Sequence, residues 1–442
     1  MEMTKGPLWK EILFFSIPLI LSNLLQVCFN MSDIAVVGKF AGPGALGSVG
    51  STTVLITLFT GFLIGLGNGV NVFAARFLGS GDEVGLKKSV HTSFIICLIT
   101  GTVLMLIGLF ASGALLEVLN TKEELIDGAK LYLRIYFLGM PALAVYNFGN
   151  AVLSAAGDTK RPLYFLAAAG IINVCLNLLF VIVFKRSVDG VAAASVISQY
   201  ISAFLTVSFL KKRDFSYRLD FKNLSFDKKK AAEVLRLGIP SGFQNAVFAI
   251  ANLFIQGAVN SFDAVVVEGN SAAANADPLV YAVMAAFYMA CASFMSINYG
   301  AGKKDRVIKS YYISLAYSAG IGALLGLLLV LFGREFLFIF TNEEAVVNEG
   351  IVRLRIMSAS YAVSAFMDCT IAASRGIGKT IVPTVMVILG SCVFRVAWIY
   401  TVFAHFHTVF SLYSLYIFSW SITAAAEIIY FVFAYKKAMR AY

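Results

Sequence analysis

The sequence has few charged residues for its length. Of its 442 residues, 14% are charged and 59% are hydrophobic, and the mean hydropathy is +0.81. A soluble domain usually carries roughly 25% charged residues, which it needs to cover its surface. This shortage excludes a soluble globular protein and indicates a chain that lies mostly in lipid.

The sequence is also poor in the residues that build catalytic and metal centres. It holds three histidines and six cysteines, and it contains no CxxC, HExxH or GxSxG motif. The cysteines all fall inside apolar stretches, so they are expected to be reduced packing residues. These absences argue against a metal site and an intramembrane hydrolase, and we expect no enzymatic activity and no cofactor.

Long apolar stretches separated by short polar connections make up the rest of the chain. About 20 apolar residues cross a bilayer core as a helix, and backbone in lipid must satisfy its hydrogen bonds internally. The sequence therefore predicts an all-α integral membrane protein with twelve transmembrane helices. The predicted spans are residues 12–37, 46–77, 88–112, 126–155, 161–184, 189–210, 235–262, 266–299, 309–332, 346–374, 380–403 and 411–435.

Most of the 35 basic residues fall on one side of these spans. Since basic loops stay in the cytoplasm, the pattern predicts a multi-pass plasma-membrane protein with both termini cytoplasmic. The net charge of +10 is then explained by contact with anionic membrane lipid, without a nucleic-acid partner. The segments predicted to lie outside hold only Lys39, Lys122, Lys130, Lys185, Arg186 and Arg334.

The chain contains an internal repeat. Because each copy holds six spans, an even number, the copies have the same orientation and form two parallel bundles. We predict an N-terminal six-helix bundle at 1–210, a cytoplasmic linker at 211–233 and a C-terminal six-helix bundle at 234–442. The repeated motifs are Gly79-Ser80-Gly81 with Gly300-Ala301-Gly302, Leu133-Arg134-Ile135 with Leu354-Arg355-Ile356 and Gly157 with Gly378, all 221 residues apart, and Ile17-Pro18 with Ile239-Pro240 at 222.

Three motifs resemble one known family. They are Ser16-Ile17-Pro18 with Asp33-Ile34-Ala35-Val36-Val37-Gly38, then Ala156-Gly157-Asp158-Thr159-Lys160-Arg161-Pro162, and Arg375-Gly376-Ile377-Gly378-Lys379-Thr380. Together with the repeat they resemble the multidrug and toxic compound extrusion (MATE) family, most closely the prokaryotic branch named after DNA-damage-inducible protein F. The resemblance implies a V-shaped pair of six-helix bundles that exports organic, often cationic compounds, driven by proton or sodium entry.

A candidate coupling site lies in the N-terminal bundle. An ionised Asp33 inside a span costs a few kcal/mol, so its neutral form is favoured and it is a natural proton carrier. Asn173 and Asn177 lie one turn apart on one helix. The resemblance implies that both asparagines and Ser195 line a cavity with Asp33, although Asn177 stands where the family has an aspartate. The alternative is an aspartate hydrated at a helix end and asparagines that join neighbouring helices.

The C-terminal bundle carries a second set of polar residues inside spans. Arg395 must face the bundle and find a partner, as a structural ion pair or as a displaceable counter-ion. Its candidate partners are Asp277, Asp368 and Glu427, between which the sequence does not choose. Arg134, Arg353 and Arg355 are expected to reach the headgroups from outer helix ends. The predicted cavity residues are Gln244, Asp277, Asp368, Arg395 and Glu427.

These features predict a cation-coupled antiporter that works by alternating access, with the proton as the favoured coupling ion and sodium as the other. Pro18 removes a hydrogen bond within the first span, so it is either a hinge or a static bend. The expected substrate is a small organic cation, and the protein is expected to be a monomer. The alternatives are a lipid-linked saccharide or lipid flippase of the same superfamily, or a sodium-coupled exporter.

Overall fold

The computed structural model describes residues 3–42, 44–119, 121–212 and 215–440, so residues 213 and 214 of the predicted linker and both extreme ends lie outside the described residues. Within these ranges the chain is helical and has no strand. The helices are α1 (Leu8–Phe40), α2 (Ala45–Ser80), α3 (Glu83–Val118), α4 (Glu123–Phe137), α5 (Met140–Ala155), α6 (Lys160–Leu178), α7 (Val188–Leu210), α8 (Lys228–Val259), α9 (Ala264–Ala274), α10 (Ala276–Gly300), α11 (Lys304–Leu331), α12 (Gly333–Phe338), α13 (Glu344–Gly376), α14 (Ile381–Val387), α15 (Phe394–Trp398), α16 (Ala404–Phe406) and α17 (Val409–Arg440).

Eleven helical segments of the described chain are long and apolar enough to cross a bilayer. They correspond to eleven of the twelve predicted spans. The twelfth, 126–155, is built from α4 and α5, which are separated by a turn at Leu138 and Gly139. Pro141 lies at the start of α5, where a residue without a backbone N–H is tolerated. The all-α membrane fold is therefore confirmed, with one span divided in two.

The second half of the chain divides a different span. Asn275 separates α9 from α10 within the predicted span 266–299, whereas α13 runs without interruption over 33 residues. The Asn275 side chain donates to the backbone carbonyls of Ser271 and Ala272, which lie at the end of α9. The two copies therefore have the same number of spans but place their breaks in different helices.

The internal repeat is visible in the backbone. Gly81 and Gly302, which follow α2 and α10, have φ values of +71° and +70°. Gly157 and Gly378, which precede α6 and α14, both have a φ of +81°. A residue in this left-handed conformation is strained unless it is glycine. Both copies of the repeat therefore have the same backbone conformation at these positions and need glycine there.

Two compact units divide the described chain. The N-terminal unit comprises residues 21–246, and the C-terminal unit comprises residues 3–20 and 247–440. The prediction divided the chain at a linker, whereas these units divide α1 after Ile20 and α8 after Ala246. Each of these continuous helices therefore contributes one half to each unit.

Packing of the chain start explains why residues 3–20 group with the C-terminal unit. The ring of Phe15 packs edge-on against Phe294, with centroids 5.4 Å apart. The Arg306 guanidinium donates to the backbone carbonyls of Met3, Lys5 and Gly6 at 2.8 to 3.3 Å. Asn298 and Lys303 also donate to the Met3 and Thr4 carbonyls, so the segment before α1 is held by polar side chains at the junction of α10 and α11.

Glycine pairs explain why the first half of α8 groups with the N-terminal unit. A Cβ at Gly65 would lie 2.3 Å from the nitrogen of Gly242, and one at Gly69 would lie 2.5 Å from the nitrogen of Gly238. The two Gly-x-x-x-Gly sequences thus let the backbones of α2 and α8 touch. Asn245 adds a hydrogen bond of 2.9 Å from its side chain to the Gly61 carbonyl.

The polar linker before α8 docks on α3. The Asp220 backbone N–H donates to Nε2 of His91 at 3.1 Å, and the Asp227 N–H donates to the Thr92 hydroxyl at 3.1 Å. The Asp220 carboxylate accepts from the Asn223 side chain and the Lys222 backbone, and these bonds lower the pKa of Asp220 below its ordinary value. The linker is therefore an ordered part of the N-terminal unit where it is described.

Candidate functional site

A hydrogen-bonded cluster in the N-terminal unit brings together the four predicted coupling residues. The Asn177 side chain donates to one carboxylate oxygen of Asp33 at 2.5 Å. The Ser195 hydroxyl donates to the other carboxylate oxygen at 3.4 Å. Asn173 joins both partners, since it donates to Ser195 at 3.4 Å and accepts from Asn177 at 3.3 Å. The geometry thus joins α1, α6 and α7 through one carboxylate.

The three partners of Asp33 are buried, Asp33 itself is partly exposed, and the four residues carry no positive charge. Asn177 is fully buried, and Asn173 and Ser195 are 6% and 5% exposed. No basic nitrogen of the described residues lies within 4.0 Å of the Asp33 carboxylate. The side-chain partners of Asp33 among the described residues are therefore neutral donors.

The local helix geometry places these residues on one face. Asn173 and Asn177 are four residues apart in α6, and the helix then passes into a π-helical turn at Leu179–Val183. Turns of this type occur inside helices mostly as single-turn insertions and are frequent at functional sites. The side-chain amide oxygen of Asn177 is buried without a hydrogen-bond partner, so the cluster keeps one unused acceptor.

A different cluster forms around Asp277 in the C-terminal unit. Its carboxylate accepts from Arg353 at 2.6 and 3.4 Å and from the Tyr361 hydroxyl at 2.5 Å. Arg353 is 4% exposed, so the expectation that it reaches the headgroups was wrong. The arginine instead turns into the unit because a carboxylate on α10 and the Tyr413 ring, 5.6 Å away, receive it.

Arg395 has aromatic neighbours in place of the expected acidic partner. Its guanidinium lies 4.6 Å from the ring centroid of Tyr416, 5.3 Å from that of Trp420 and 5.7 Å from that of Phe248. Nε donates to the Ser419 hydroxyl at 3.2 Å. No carboxylate of the described residues lies within 4.0 Å, which contradicts an ion pair with any of the three candidates. Ring faces and one hydroxyl offset the burial of this charge.

The two other predicted acidic residues of this unit lie apart from Arg395. Asp368 is partly buried. The positive charges of Arg375 and Arg395 both act on its carboxylate, although Arg395 lies beyond the ion-pair distance of 4.0 Å. Glu427 is fully buried, and neither of its carboxylate oxygens has a hydrogen-bond partner among the described residues. The positive charge of Arg375 acts on the Glu427 carboxylate.

Gln244 and Pro18 lie on the helices that the two units share. Gln244 is buried in the first half of α8, so it belongs to the N-terminal unit and not to the C-terminal cluster in which it was predicted. Pro18 lies inside α1, two residues before the point where this helix passes from one unit to the other. Its missing N–H weakens the helix next to that point.

The sequence reasoning missed the residues that complete the C-terminal clusters. None of Tyr361, Tyr416 and Trp420 is among the predicted site residues. A usable signal was the helical spacing of Tyr416 and Trp420, which are one turn apart on α17 and present their rings to the same neighbour.

Comparisons with known proteins agree with this architecture. The family model described as MatE matches residues 18–179 and 240–401, once in each copy of the repeat. The probable multidrug resistance protein YpnP of Bacillus subtilis is 30% identical over 352 residues, which cover 79% of this chain and 78% of that protein. The probable multidrug resistance protein YoeA of the same organism is 26% identical over 392 residues, covering 87% and 85%.

Solved structures confirm the fold. One described as the outward-facing conformation of a multidrug resistance MATE family transporter of the MOP superfamily matches with a TM-score of 0.92 and 22% identity. That match covers 99% of this chain and 98% of the other. The chain belongs to the MATE family, whose members are transporters and not enzymes, and it is a multi-pass plasma-membrane protein that moves small molecules.

Proposed function

We propose that this protein exports organic, mostly cationic compounds, including drugs, in exchange for protons. The observation that carries the proposal is the Asp33 cluster, in which a partly buried carboxylate is bonded, among the described residues, only to the neutral side chains of Asn177 and Ser195. A carboxylate without a fixed cation attracts either a proton or a positively charged substrate, and it cannot hold both equally well. Competition of this kind is the basis of antiport.

The cycle follows from this competition. A proton that enters from outside neutralises Asp33, weakens the hold on a bound cation and allows its release outward. Alternation of the two units then exposes the site to the cytoplasm, where Asp33 loses the proton and regains affinity for the next cation. Pro18 is proposed as the hinge, since α1 passes from one unit to the other at Ile20 and Leu21.

The membrane setting follows from the charge distribution. Both termini and the linker are placed in the cytoplasm because basic residues concentrate there. The substrate and the coupling ion are the only ligands proposed, with lipid around a monomer and no nucleic-acid partner. Sodium is the second candidate for the coupling ion, because an unpaired carboxylate among amide and hydroxyl groups also suits a hard cation.

The energetics constrain the stoichiometry. Export against a hundredfold gradient requires about 2.7 kcal/mol. One proton supplies about 2.3 kcal/mol from a potential of about 100 mV and about 1.4 kcal/mol from one pH unit. Exchange of one proton for one monovalent cation is electroneutral, so only the pH contribution remains. Export of a cation against that gradient therefore needs two protons.

The test is uptake of an organic cation dye into inside-out vesicles under an imposed proton or sodium gradient. Wild type is expected to accumulate dye when the vesicle interior is acid, and Asp33→Asn is expected to lose this accumulation. The matched control is Asp127→Asn, which removes the same charge from an exposed position on α4.

Each outcome bears on a different part of the proposal. Sodium-driven uptake that still needs Asp33 would replace the proton by sodium. Proton-driven uptake that survives Asp33→Asn would move the coupling site to Asp368 and Glu427. No uptake under either gradient would contradict export of cations and favour a flippase.

A further inference from the structure

We propose that the aromatic cluster around Arg395 is a second ligand site, which takes the carboxylate or phosphate of a planar aromatic compound. This inference rests on the proposed export function and adds a substrate class to it. It follows from the equivalence of the Arg395 cluster and the Asp33 cluster under the internal repeat.

The helical segments that carry Asn173 and Arg395 differ in length by one residue. They begin after Gly157 and Gly378, which are 221 apart, and end at the left-handed residues Lys185 and His407, which are 222 apart. The first helix has one π-helical turn, at Leu179–Val183, and the second has two.

The additional π-helical turn, at Ile388–Val393, precedes Arg395. A π turn closes over one more residue than an α turn, so it absorbs the extra residue. After this turn, equivalent residues of the two helices are 222 positions apart, so Arg395 is the equivalent of Asn173.

The contacts of the two residues support this correspondence. Asn173 donates to Ser195 in the N-terminal unit. The following helices, α7 and α17, begin at Val188 and Val409, so the offset returns to 221 there. Ser195 then corresponds to Tyr416, whose ring is the nearest of the three to the Arg395 guanidinium. The same pair of helices therefore meets through an amide and a hydroxyl in one unit and through a guanidinium and a phenol ring in the other.

The first helix of each copy completes the comparison. α1 and α8 both run without interruption beyond their prolines, which are 222 apart. The residue that corresponds to Asp33 is therefore Ile255, which is buried among apolar residues. Phe248 is the residue that α8 contributes to the Arg395 cluster. The C-terminal cluster thus carries a positive charge where the N-terminal cluster carries a carboxylate.

The Arg395 cluster has an unused donor. Arg395 is 2% exposed, and its Nη2 is buried without a hydrogen-bond partner. Leaving a buried donor of a charged group unsatisfied is costly, and a ligand anion would remove that cost. Phe248 and Tyr416 are partly exposed, so the cluster extends to the surface of its unit at these two residues.

These features select the ligand. The free Nη2 calls for an oxyanion, and guanidinium with carboxylate or phosphate forms strong charge-assisted hydrogen bonds. The rings of Phe248, Tyr416 and Trp420 provide faces and edges for a flat aromatic system. A planar aromatic compound with a carboxylate or phosphate would place its anion on Arg395 and its ring system against Phe248 and Tyr416.

The experiment compares rhodamine 110, which carries a free carboxylate, with rhodamine 123, its methyl ester. Binding to the purified full chain in detergent is measured by fluorescence anisotropy, without any gradient. Arg395→Met is expected to weaken rhodamine 110 binding roughly 10- to 100-fold and to leave rhodamine 123 within about twofold of wild type. The control is Arg334→Met, the same substitution at an exposed arginine of α12.

The outcomes separate this inference from the proposed function. If Arg395→Met folds and binds both dyes as wild type does, the second site is overturned while proton-driven transport of rhodamine 123 stands. Equal loss of both dyes would also overturn it, since Arg395 would then have a structural role. If Arg395→Met does not fold, Arg395→Gln, which keeps a donor for Ser419, carries the same expectation. Wild type that binds neither dye would overturn both proposals.

Discussion

The two units hold polar clusters on corresponding helices, and the clusters carry opposite charge. In the N-terminal unit Asp33 is surrounded by Asn173, Asn177 and Ser195. In the C-terminal unit Arg395 is surrounded by aromatic rings and one hydroxyl. The duplication has therefore preserved the scaffold while its two copies acquired different chemistry.

A second pair of positions shows the same divergence. Asp277 and Arg353 form a buried ion pair in the C-terminal unit. The residues 221 positions earlier are Ile56 and Tyr132, which pack together in one apolar cluster of the N-terminal unit. The same contact is thus apolar in one unit and ionic in the other. The effect of a substitution in one unit can therefore be compared with the residue that the other unit has at the equivalent position.

The largest expected effect comes from placing the C-terminal charge in the N-terminal cluster. In Asn173→Arg, a guanidinium would lie within reach of Asp33 and keep its carboxylate ionised. Proton-driven dye uptake into inside-out vesicles is expected to be lost as completely as in Asp33→Asn. Asn173→Gln, which adds length without charge, is expected to keep most of the uptake, and normal uptake by Asn173→Arg would refute a proton role for this cluster.

The ion pair of the C-terminal unit is expected to matter next. Arg353→Met leaves Asp277 buried without its cation, which costs about 3–5 kcal/mol of unfolding free energy. The double variant Asp277→Leu with Arg353→Met is expected to recover most of that loss, because the N-terminal unit already uses an apolar pair there. Denaturant unfolding in detergent measures both, and a double variant no better than the single one would contradict this reading.

The contact between α2 and α8 gives a smaller effect. Gly65→Ala places a methyl group against the backbone of Gly242 and is expected to cost about 1–3 kcal/mol. The residue 221 positions after Gly65 is Ala286, which is fully buried and already carries a Cβ. Ala286→Gly is therefore expected to cost only about 0.5–1 kcal/mol. Equal effects in the same unfolding assay would show that the two contacts are packed alike.

The smallest effect concerns the segments that precede α8 and α1. Because the pKa of Asp220 is lowered in the folded chain, its contribution to docking is present above the ordinary value of 3.8 and is lost as the pH falls through the lower folded value. Protection of the Lys222 and Asn223 amides from hydrogen exchange is expected to decrease there.

Asp220→Asn is expected to remove this pH dependence. The junction between α1 and the segment before it serves as the internal reference, since the Lys10 and Glu11 amides donate to the Pro7 carbonyl, which does not titrate in this range. A parallel loss of protection at Lys10 and Glu11 would assign the change to general unfolding.

The sequence was sufficient for the helices, the repeat and the Asp33 cluster. Polar residues are rare in apolar spans, so Asp33, Asn173, Asn177 and Ser195 stood out individually, and the resemblance joined them. It was not sufficient for the Asp277–Arg353 pair, because the two residues are 76 positions apart and either could have had another partner. A hydropathy pattern also carries no signal where one continuous helix passes from one compact unit to the other. The sequence therefore does not predict that α1 and α8 are each divided between the two units.

The additional π-helical turn before Arg395 also bears on how duplicated proteins diverge. In an α-helix each residue turns the chain by about 100°, so one inserted residue rotates every later side chain relative to its counterpart. A single insertion thus presents a different stripe of the same helix to the same neighbours. The insertion of a single codon in one copy of a duplicated gene can therefore change which side chains line a site, before any of those residues is substituted.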